Sequence, residues 1–326
     1  MKILITGGAG YIGSHITEEL QKKNDITIID NLSTGYKKLI SQKAKFYKLD
    51  IRNLNAIKRI LRKEEIETVI HLAAKLSIQE SRNKQKAYYQ NNVIGTKKLL
   101  KAIKKTNVKN IIFSSTAAVY SGNNNIECKE NIKPRPNNIY GKTKFTCEIL
   151  IKNFCKKNNI KFFILRYFNV VGASKSGMIG PLKDYGQLFK KLSKAIYQKK
   201  SKINIYGKNH PTSDGSCIRD FIDVNDIVQV HSIIIKRLHI FKKKGTILNC
   251  GYGKGFSVLA IIKNFEKITK KKILMNILRE RKNEVANIYA NNFKIKKELR
   301  WKAKYSNMSG IIKRCLKWEK KISNVQ

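Results

Sequence analysis

Tyr140 and Lys144 stand four residues apart in "YGKTK". On a helix that spacing puts a phenol and an ammonium on one face, one turn apart. Ahead of them "NIIFSSTAAVY" closes an apolar, strand-like run on hydroxyls, the last being Thr116. A phenol with a pKa of about 10 is a poor base at neutral pH, but a neighbouring cation favours its phenolate. Thr116 is able to hydrogen-bond the same substrate oxygen. The chemistry implied is proton transfer at a substrate oxygen, with the Tyr140 phenolate as base. Taken alone, a Tyr and a Lys at this spacing describe a solvated helix face, and a dinucleotide site in the same chain reverses that reading.

Such a site opens the chain. In "MKILITGGAGYIGSH" the run Ile3, Leu4, Ile5 reads as a short buried strand, and Gly8, Gly10 and Gly13 then satisfy G-x-G-x-x-G at the start of a helical pattern. The first glycine is expected to permit a tight turn, the second to let backbone approach a pyrophosphate, and the third to let the helix pack on the strand. N–H groups at the helix start favour the phosphate charge. The following strand ends in Asp30, about 20 residues on, as the fingerprint requires. An acid there accepts from a ribose 2′-hydroxyl and repels a 2′-phosphate, which predicts NAD rather than NADP. Asp50, before Ile51, ends the third strand and is placed to meet the adenine.

The elements that must position these groups are legible as alternation. Strand-like runs "KILIT", "DITIID", "KFYKLD", "TVIHLAA", "NIIFSST" and "KFFILRYFN" alternate with Lys-rich helical segments. That pattern argues for βαβ units and a parallel sheet covered on both faces. The expected fold class is α/β, a Rossmann-type doubly wound parallel sheet with a smaller α/β substrate-binding lobe. Gly, Ser and Pro thicken after Asn169, which puts the expected domains at 1–168 for NAD and 169–326 for the substrate, with a segment of about 217–245 returning to the first.

Bulk composition narrows the function classes. The 326 residues hold 68 Lys+Arg against 22 Asp+Glu, a net charge of +46, with 42% hydrophobic residues. The Lys are scattered in pairs and triplets and travel with heavy use of Ile and Asn, and no basic arm or aromatic-basic module accompanies them. The expectation is therefore a solvated surface that helps capture anionic ligands, with no specific nucleic acid as partner. Six cysteines include no C-x-x-C pair and no His spacing that suggests zinc. Reduced thiols in a cytoplasmic protein are expected, with no metal. The chain enters a strand at once and holds no apolar stretch of the roughly twenty residues a membrane span needs, so neither signal peptide nor membrane is expected.

With "TGGAGYIGSH", "DNLSTG", "YYQNNVIGT", "SSTAAVY", "YGKTK", "LRYFNVVGA" and "DGSCIRDFIDV" in hand, the chain resembles the extended short-chain dehydrogenase/reductase superfamily nearly end to end. Within it, the last motif combined with "LRYFNVVGA" resembles the UDP-glucose 4-epimerase (UDP-galactose 4-epimerase) family of nucleotide-sugar isomerases. The resemblance implies a reversible epimerisation at carbon 4 through a transient 4-keto sugar, tightly held NAD, and a homodimer. It implies cofactor contacts from Gly7, Gly10, Tyr11, Ile12, Gly13, Asp30, Asn31, Asp50, Ile51, Leu72, Ala73, Ala74, Asn92, Ser114, Tyr140, Lys144 and Tyr167. By motif position it also implies that Asn169 contacts the diphosphate region of a UDP-sugar, Tyr206 lies by the uracil, and Arg219 and Arg281 clamp the diphosphate. A strand-end salt bridge to Asp220 is the plainer reading of Arg219, and solvated surface that of Arg281.

The chain departs from the family in places. Lys75 is followed by Leu76 where the family carries Lys one place later, Gln187 replaces an Asn or His before an apolar residue, and Glu284 stands where an Asp holds the uridine ribose. Ile288 occupies the position where a Tyr restricts the sugar pocket. The smaller Ile predicts that UDP-GlcNAc and UDP-GalNAc are accepted as well. A 4,6-dehydratase needs an acidic pair after the Thr of the Ser-Thr motif, and Ala117 and Ala118 fill those places. UDP-glucuronate epimerisation stays open. A non-catalytic NAD- or RNA-binding protein is the reading from another class, against which intact Thr116, Tyr140 and Lys144 speak.

Overall fold

The computed structural model describes residues 1–123, 126–197, 202–282 and 284–324. Its short apolar runs become strands. In chain order these are β1 (Lys2–Thr6), β2 (Asp25–Asp30), β3 (Lys45–Lys48), β4 (Thr68–His71), β5 (Asn110–Thr116), β6 (Ile126–Cys128) and β7 (Lys161–Tyr167). There follow β8 (Asn169–Val171), β9 (Ile203–Tyr206), β10 (Ile218–Asp223), β11 (Gly245–Cys250), β12 (Gly255–Ser257), β13 (Met275–Leu278) and β14 (Asn287–Ala290).

Seven strands make one sheet in the order β3-β2-β1-β4-β5-β7-β11. From β3 through β5 every pairing is parallel. Strand β4 is buried along its whole length, as is all of β1 except Lys2, which a parallel sheet sheathed by helices demands. The chain runs outward from β1 through β2 and β3, then restarts on the other side of β1 with β4 and β5. The crevice outside the carboxyl ends of β1 and β4 is thus the switch point where such sheets take ligands. On one side, amphipathic helices Leu54–Lys63 and Gly95–Ile103 close a core of Leu4, Ile29, Ile57, Leu61, Val69, Leu99, Ile111 and Phe113.

The structure divides into two compact units. The first comprises Met1–Val119, Pro136–Arg166 and Val230–Leu248, the second Tyr120–Arg135, Tyr167–Gln229 and Asn249–Gln326. This differs from the expected division at 168 in two places, each for a pairing reason. Residues 120–135 join the second unit because their strand β6 pairs in parallel with β14. The segment expected to return at about 217 returns only at Val230, because β10 pairs with β8, β12 and β14 in the second unit. That unit has a five-stranded sheet, β12-β10-β14-β6 with β8 beside β10, and a two-stranded β13-β9 sheet. Its core is built on Phe189, Leu192, Phe221, Ile261, Phe265, Ile311 and Ile312. All six cysteines are buried and none forms a disulfide. Among the described residues no helix is long and apolar enough to cross a membrane, and no group of His, Cys, Asp and Glu could hold a metal ion.

Candidate active site

The glycine turn after β1 fits a dinucleotide. Its positive φ falls at Gly7 (+75°), not at Gly8 where the motif reading expects the tight turn. Gly7 also lies against the other lip of the switch point, since a Cβ there would sit 2.7 Å from the backbone N of Ala73. Gly13 is confined by the turn, with a Cβ placed 2.3 Å from the Gly7 carbonyl oxygen. By contrast a Cβ on Gly10 would meet only that oxygen, at 3.2 Å. Gly10 caps the Tyr11–Leu20 helix with its N–H turned back to Gly7 O at 3.1 Å, and its lack of a side chain keeps a helix N-terminus open to the approach of a pyrophosphate. Tyr11 and Ile12 follow, half-buried, in the first helical turn. Leu72, Ala73 and Ala74 form the facing lip, tied down by Leu72 N–H to Thr6 O at 3.0 Å.

Several expected cofactor residues turn out to be partly committed. Asp30 is buried at the end of β2. Its Oδ2 accepts the Ala9 N–H of the glycine turn at 3.1 Å and its Oδ1 the Leu32 N–H at 2.8 Å. Burial raises its pKa above the ordinary carboxylate value. Asp50 is claimed by Arg52, which donates from Nε and Nη2 at 2.8 Å each, and by Asn31 Nδ2 at 3.0 Å. Its pKa falls to about 2, chiefly through the Arg52 hydrogen bonds. Ile51 points into the core, where it packs against Gly95.

Asn92 sits in a π-helical turn, Tyr89–Ile94. Its Oδ1 accepts from Lys75 N at 2.8 Å and Asn91 Nδ2 at 3.0 Å, while its Nδ2 donates to Lys75 O at 3.1 Å and Thr143 Oγ1 at 3.0 Å. All four hydrogen-bonding positions of the amide are therefore filled by protein. The amide pins the loop after β4 to the helix of Tyr140. Lys75 has both backbone groups bound to this amide.

The Ile139–Lys157 helix starts under an Asn138 cap that accepts the Gly141 N–H at 2.8 Å. Tyr140 and Lys144 follow on one face, over the end of β5. Thr116 Oγ1 accepts the Ala118 N–H at 3.2 Å, and its hydroxyl is placed to favour the Tyr140 phenolate. Lys144 is buried, with its Nζ 2.6 Å from the Ser114 carbonyl oxygen and 4.7 Å from the centre of the Phe113 ring. The Ser114 hydroxyl donates to His71 O at 3.2 Å. Burial pulls Lys144 down to about 8, and burial pushes Tyr140 up to about 12 against the Thr116 hydrogen bond. Lys144 does not figure among the causes of the Tyr140 shift; the sequence expectation joins Lys144 to a positively charged nicotinamide, and these side chains alone leave the phenol high.

In the second unit four of the expected residues converge. The Arg281 guanidinium lies 3.8 Å from the centre of the Tyr206 ring, covering one face of it. Glu284 Oε1 stands between Arg219 Nη2 at 3.3 Å and Arg281 Nη1 at 3.8 Å. Arg219 also donates to Ile218 O at 2.8 Å. The strand-end salt bridge to Asp220 does not form, because Asp220 accepts the N–H groups of Tyr252, Gly253 and Ala290 instead. Nor is Arg281 solvated surface, being held by Tyr206 and Glu284. Ile288, 8% exposed on β14, registers with Arg219 on β10. Asn169 is exposed at the start of β8, and Tyr167 is buried at the end of β7.

Sequence reasoning missed Arg52, His71, Glu148 and Arg166. Two of these carry a local signal: Arg52 stands two residues past Asp50, and Glu148 four residues past Lys144 on the same helix face. His71 is held between the hydroxyls of Thr6 (2.7 Å) and Thr96 (2.9 Å), partners 65 and 25 residues away.

Comparison with known proteins follows this geometry. The model of the NAD dependent epimerase/dehydratase family matches residues 3–251. A UDP-glucose 4-epimerase of Lactobacillus helveticus is 37% identical over 325 residues, covering 98% of this chain and 97% of its own. The crystal structure of UDP-glucose 4-epimerase from Bifidobacterium longum in complex with NAD+ and UDP matches with a TM-score of 0.92 at 33% identity, covering 99% of both chains. The UDP-Glc/GlcNAc 4-epimerase of Campylobacter jejuni matches with a TM-score of 0.83 at 33% identity, covering 98% of this chain and 99% of that one.

Proposed function

The chain belongs to the NAD dependent epimerase/dehydratase family, and from that premise we propose that it interconverts UDP-glucose and UDP-galactose by NAD-dependent epimerisation at carbon 4. The observation that carries this reading is the end of β5, where the Thr116 hydroxyl favours the Tyr140 phenolate and Lys144 is buried one helical turn on, bound to the Ser114 carbonyl.

In this reading Gly7, Gly10, Tyr11, Ile12 and Gly13 receive the pyrophosphate, Asp30 and Asn31 the adenosine ribose, and Leu72, Ala73 and Ala74 line the nicotinamide side. Bound NAD supplies the acceptor, and later the donor, of the hydride at carbon 4. Tyr140 takes the proton of the 4-hydroxyl, and the substrate becomes a 4-keto sugar. When the opposite face of that sugar is presented, Tyr140 returns the proton. Thr116 holds the reacting oxygen in both directions. Because burial keeps the phenol near 12, these side chains by themselves leave Tyr140 protonated at neutral pH. A further positive charge beside it is required for the base to form.

Arg219 and Arg281 bind the diphosphate, a task that suits guanidinium forks, with Asn169 contacting the same region. Glu284 holds both arginines and meets the uridine ribose, and Tyr206 lies by the uracil with the face that Arg281 leaves open. Ile288 borders the sugar and admits an N-acetyl group at carbon 2, so UDP-GlcNAc and UDP-GalNAc are substrates too. The resemblance further implies a homodimer in the cytoplasm, which sedimentation and cell fractionation test.

The direct experiment incubates the purified protein, with no cofactor added, with UDP-galactose, and resolves the products. Conversion to UDP-glucose is expected. Conversion of UDP-glucuronate alone would replace the substrate, and no turnover of any UDP-sugar even with NAD+ added would overturn the enzyme reading.

A further inference from the structure

Four residues past Lys144, on the same helix face, stands Glu148. It is 3% exposed, and none of the roles above uses it. Its Oε1 accepts from the Ser115 hydroxyl on β5 and from Arg166 Nε on β7 at 2.9 Å, while its Oε2 accepts from Arg166 Nη2 at 2.7 Å. Arg166 is itself 2% exposed, and β5 and β7 are neighbours in the sheet. One carboxylate thus ties the helix of Tyr140 and Lys144 to two adjacent strands, at the residue before Thr116.

Burying two charges is expensive, and an apolar pair of equal volume would hold helix to sheet as firmly. What an apolar pair cannot supply is an anion one helical turn from Lys144. The groups facing Lys144 are Tyr140, Cys147 and Glu148 on its own helix, Phe113 and Ser114 on β5, and His71 on β4. Burial pushes the Cys147 thiol up and the His71 imidazole down, so both are neutral at pH 7. Among these described groups the carboxylate of Glu148 is the negative charge. Burial lowers Lys144, and the charge of Glu148 opposes that fall.

We propose that Glu148 is a positioning residue: it locks the Tyr140–Lys144 face of the helix onto the end of β5 and holds the Lys144 ammonium in its charged form. The inference rests on the epimerase reading above. Removing the anion lets Lys144 lose its proton at lower pH, so the alkaline limb of kcat moves down while KM for the UDP-sugar changes little.

The test compares wild type, Glu148→Gln, Glu148→Asp and the double variant Glu148→Gln/Arg166→Gln. The double variant avoids an orphaned Arg166 should Glu148→Gln fail to fold. Two readings are taken, the pH profile of UDP-galactose turnover and the titration of the Lys144 ε-carbon by NMR in 13C-lysine protein, assigned against Lys144→Met. Expected for both Gln variants is a fall of about one pH unit in the alkaline limb and in the Lys144 midpoint, with Glu148→Asp near wild type. An unmoved midpoint in a folded Gln variant overturns the proposal, even where kcat drops. A moved midpoint together with a wild type that turns over no UDP-sugar supports the charge coupling and overturns the epimerase reading instead.

Discussion

Ile288 registers with Arg219 on one side and with Ile126 on the other, so its side chain is set by two neighbouring strands. At 8% exposure the position has little room for a tyrosine ring, which under the proposed function would narrow the space for the sugar. Ile288→Tyr is expected to lower UDP-GalNAc turnover about 100-fold and leave UDP-galactose turnover within severalfold. Parallel assays of the two sugars check it, and equal loss of both would end the gate idea. At this scale the sequence was informative about identity and poor about occupation. Tyr140, Lys144 and Thr116 were readable because their spacing is local. That Asp50 is held by Arg52, or that the Asn92 amide is filled by Lys75, Asn91 and Thr143, depends on partners up to 51 residues away. A side chain has a finite number of hydrogen-bonding positions, and the fold spends them before any ligand arrives.

The glycine turn is the element that the strand–turn–helix pattern located best and interpreted least well. Gly13 faces backbone that cannot yield, whereas Gly10 faces almost nothing. The two alanine variants should therefore separate folding from binding. Gly13→Ala is expected to destabilise the first unit by about 1–3 kcal/mol through overpacking and to lose NAD as a consequence. Gly10→Ala should melt close to wild type yet purify without NAD, since its methyl would stand where the cofactor needs bare backbone. Thermal melts, with the absorbance of cofactor released on denaturation, distinguish the two, and a Gly10→Ala protein that retains NAD would contradict the cradle. The positive φ at Gly7 escaped the motif because Gly7 and Gly8 are adjacent, and only backbone geometry tells which of them turns.

Two buried groups make the whole molecule respond to acid in opposite directions in its two units. His71, in the first unit, is pushed down from 6.5 to about 3 by burial and by Lys144. The folded form excludes the proton that the unfolded chain binds. Stability is therefore intact above about 6.5 and lost as pH falls toward 3, at most about 5 kcal/mol in all and about 2 by pH 5. Asp220, in the second unit, is raised from 3.8 to about 6 by burial, against three backbone N–H bonds. Its folded form favours the proton, so the contribution is present below 3.8 and lost as pH rises through 6. Acidifying from pH 7 to 5 returns about 1 kcal/mol there. Hydrogen exchange at the two pH values should show protection falling in β1, β4 and β5 and rising in β10 and β14. His71→Gln should abolish the first change, and parallel losses in both units would refute the assignment.

By itself the sequence determined what local spacing encodes: strand–turn–helix at the glycines, Asp30 at the end of β2, a Tyr–Lys face on one helix, and the alternation that makes a parallel doubly wound sheet. Those features follow from periods of two and of 3.6 residues and need no knowledge of what lies opposite. Tertiary structure alone decided which unit 120–135 joins, that Glu284 bridges Arg219 and Arg281 while Asp220 stays with backbone, and that Glu148 meets Arg166 beneath Lys144. Each of those outcomes is a competition among distant partners for one strand edge or one charged group, and the winner is set by packing in three dimensions.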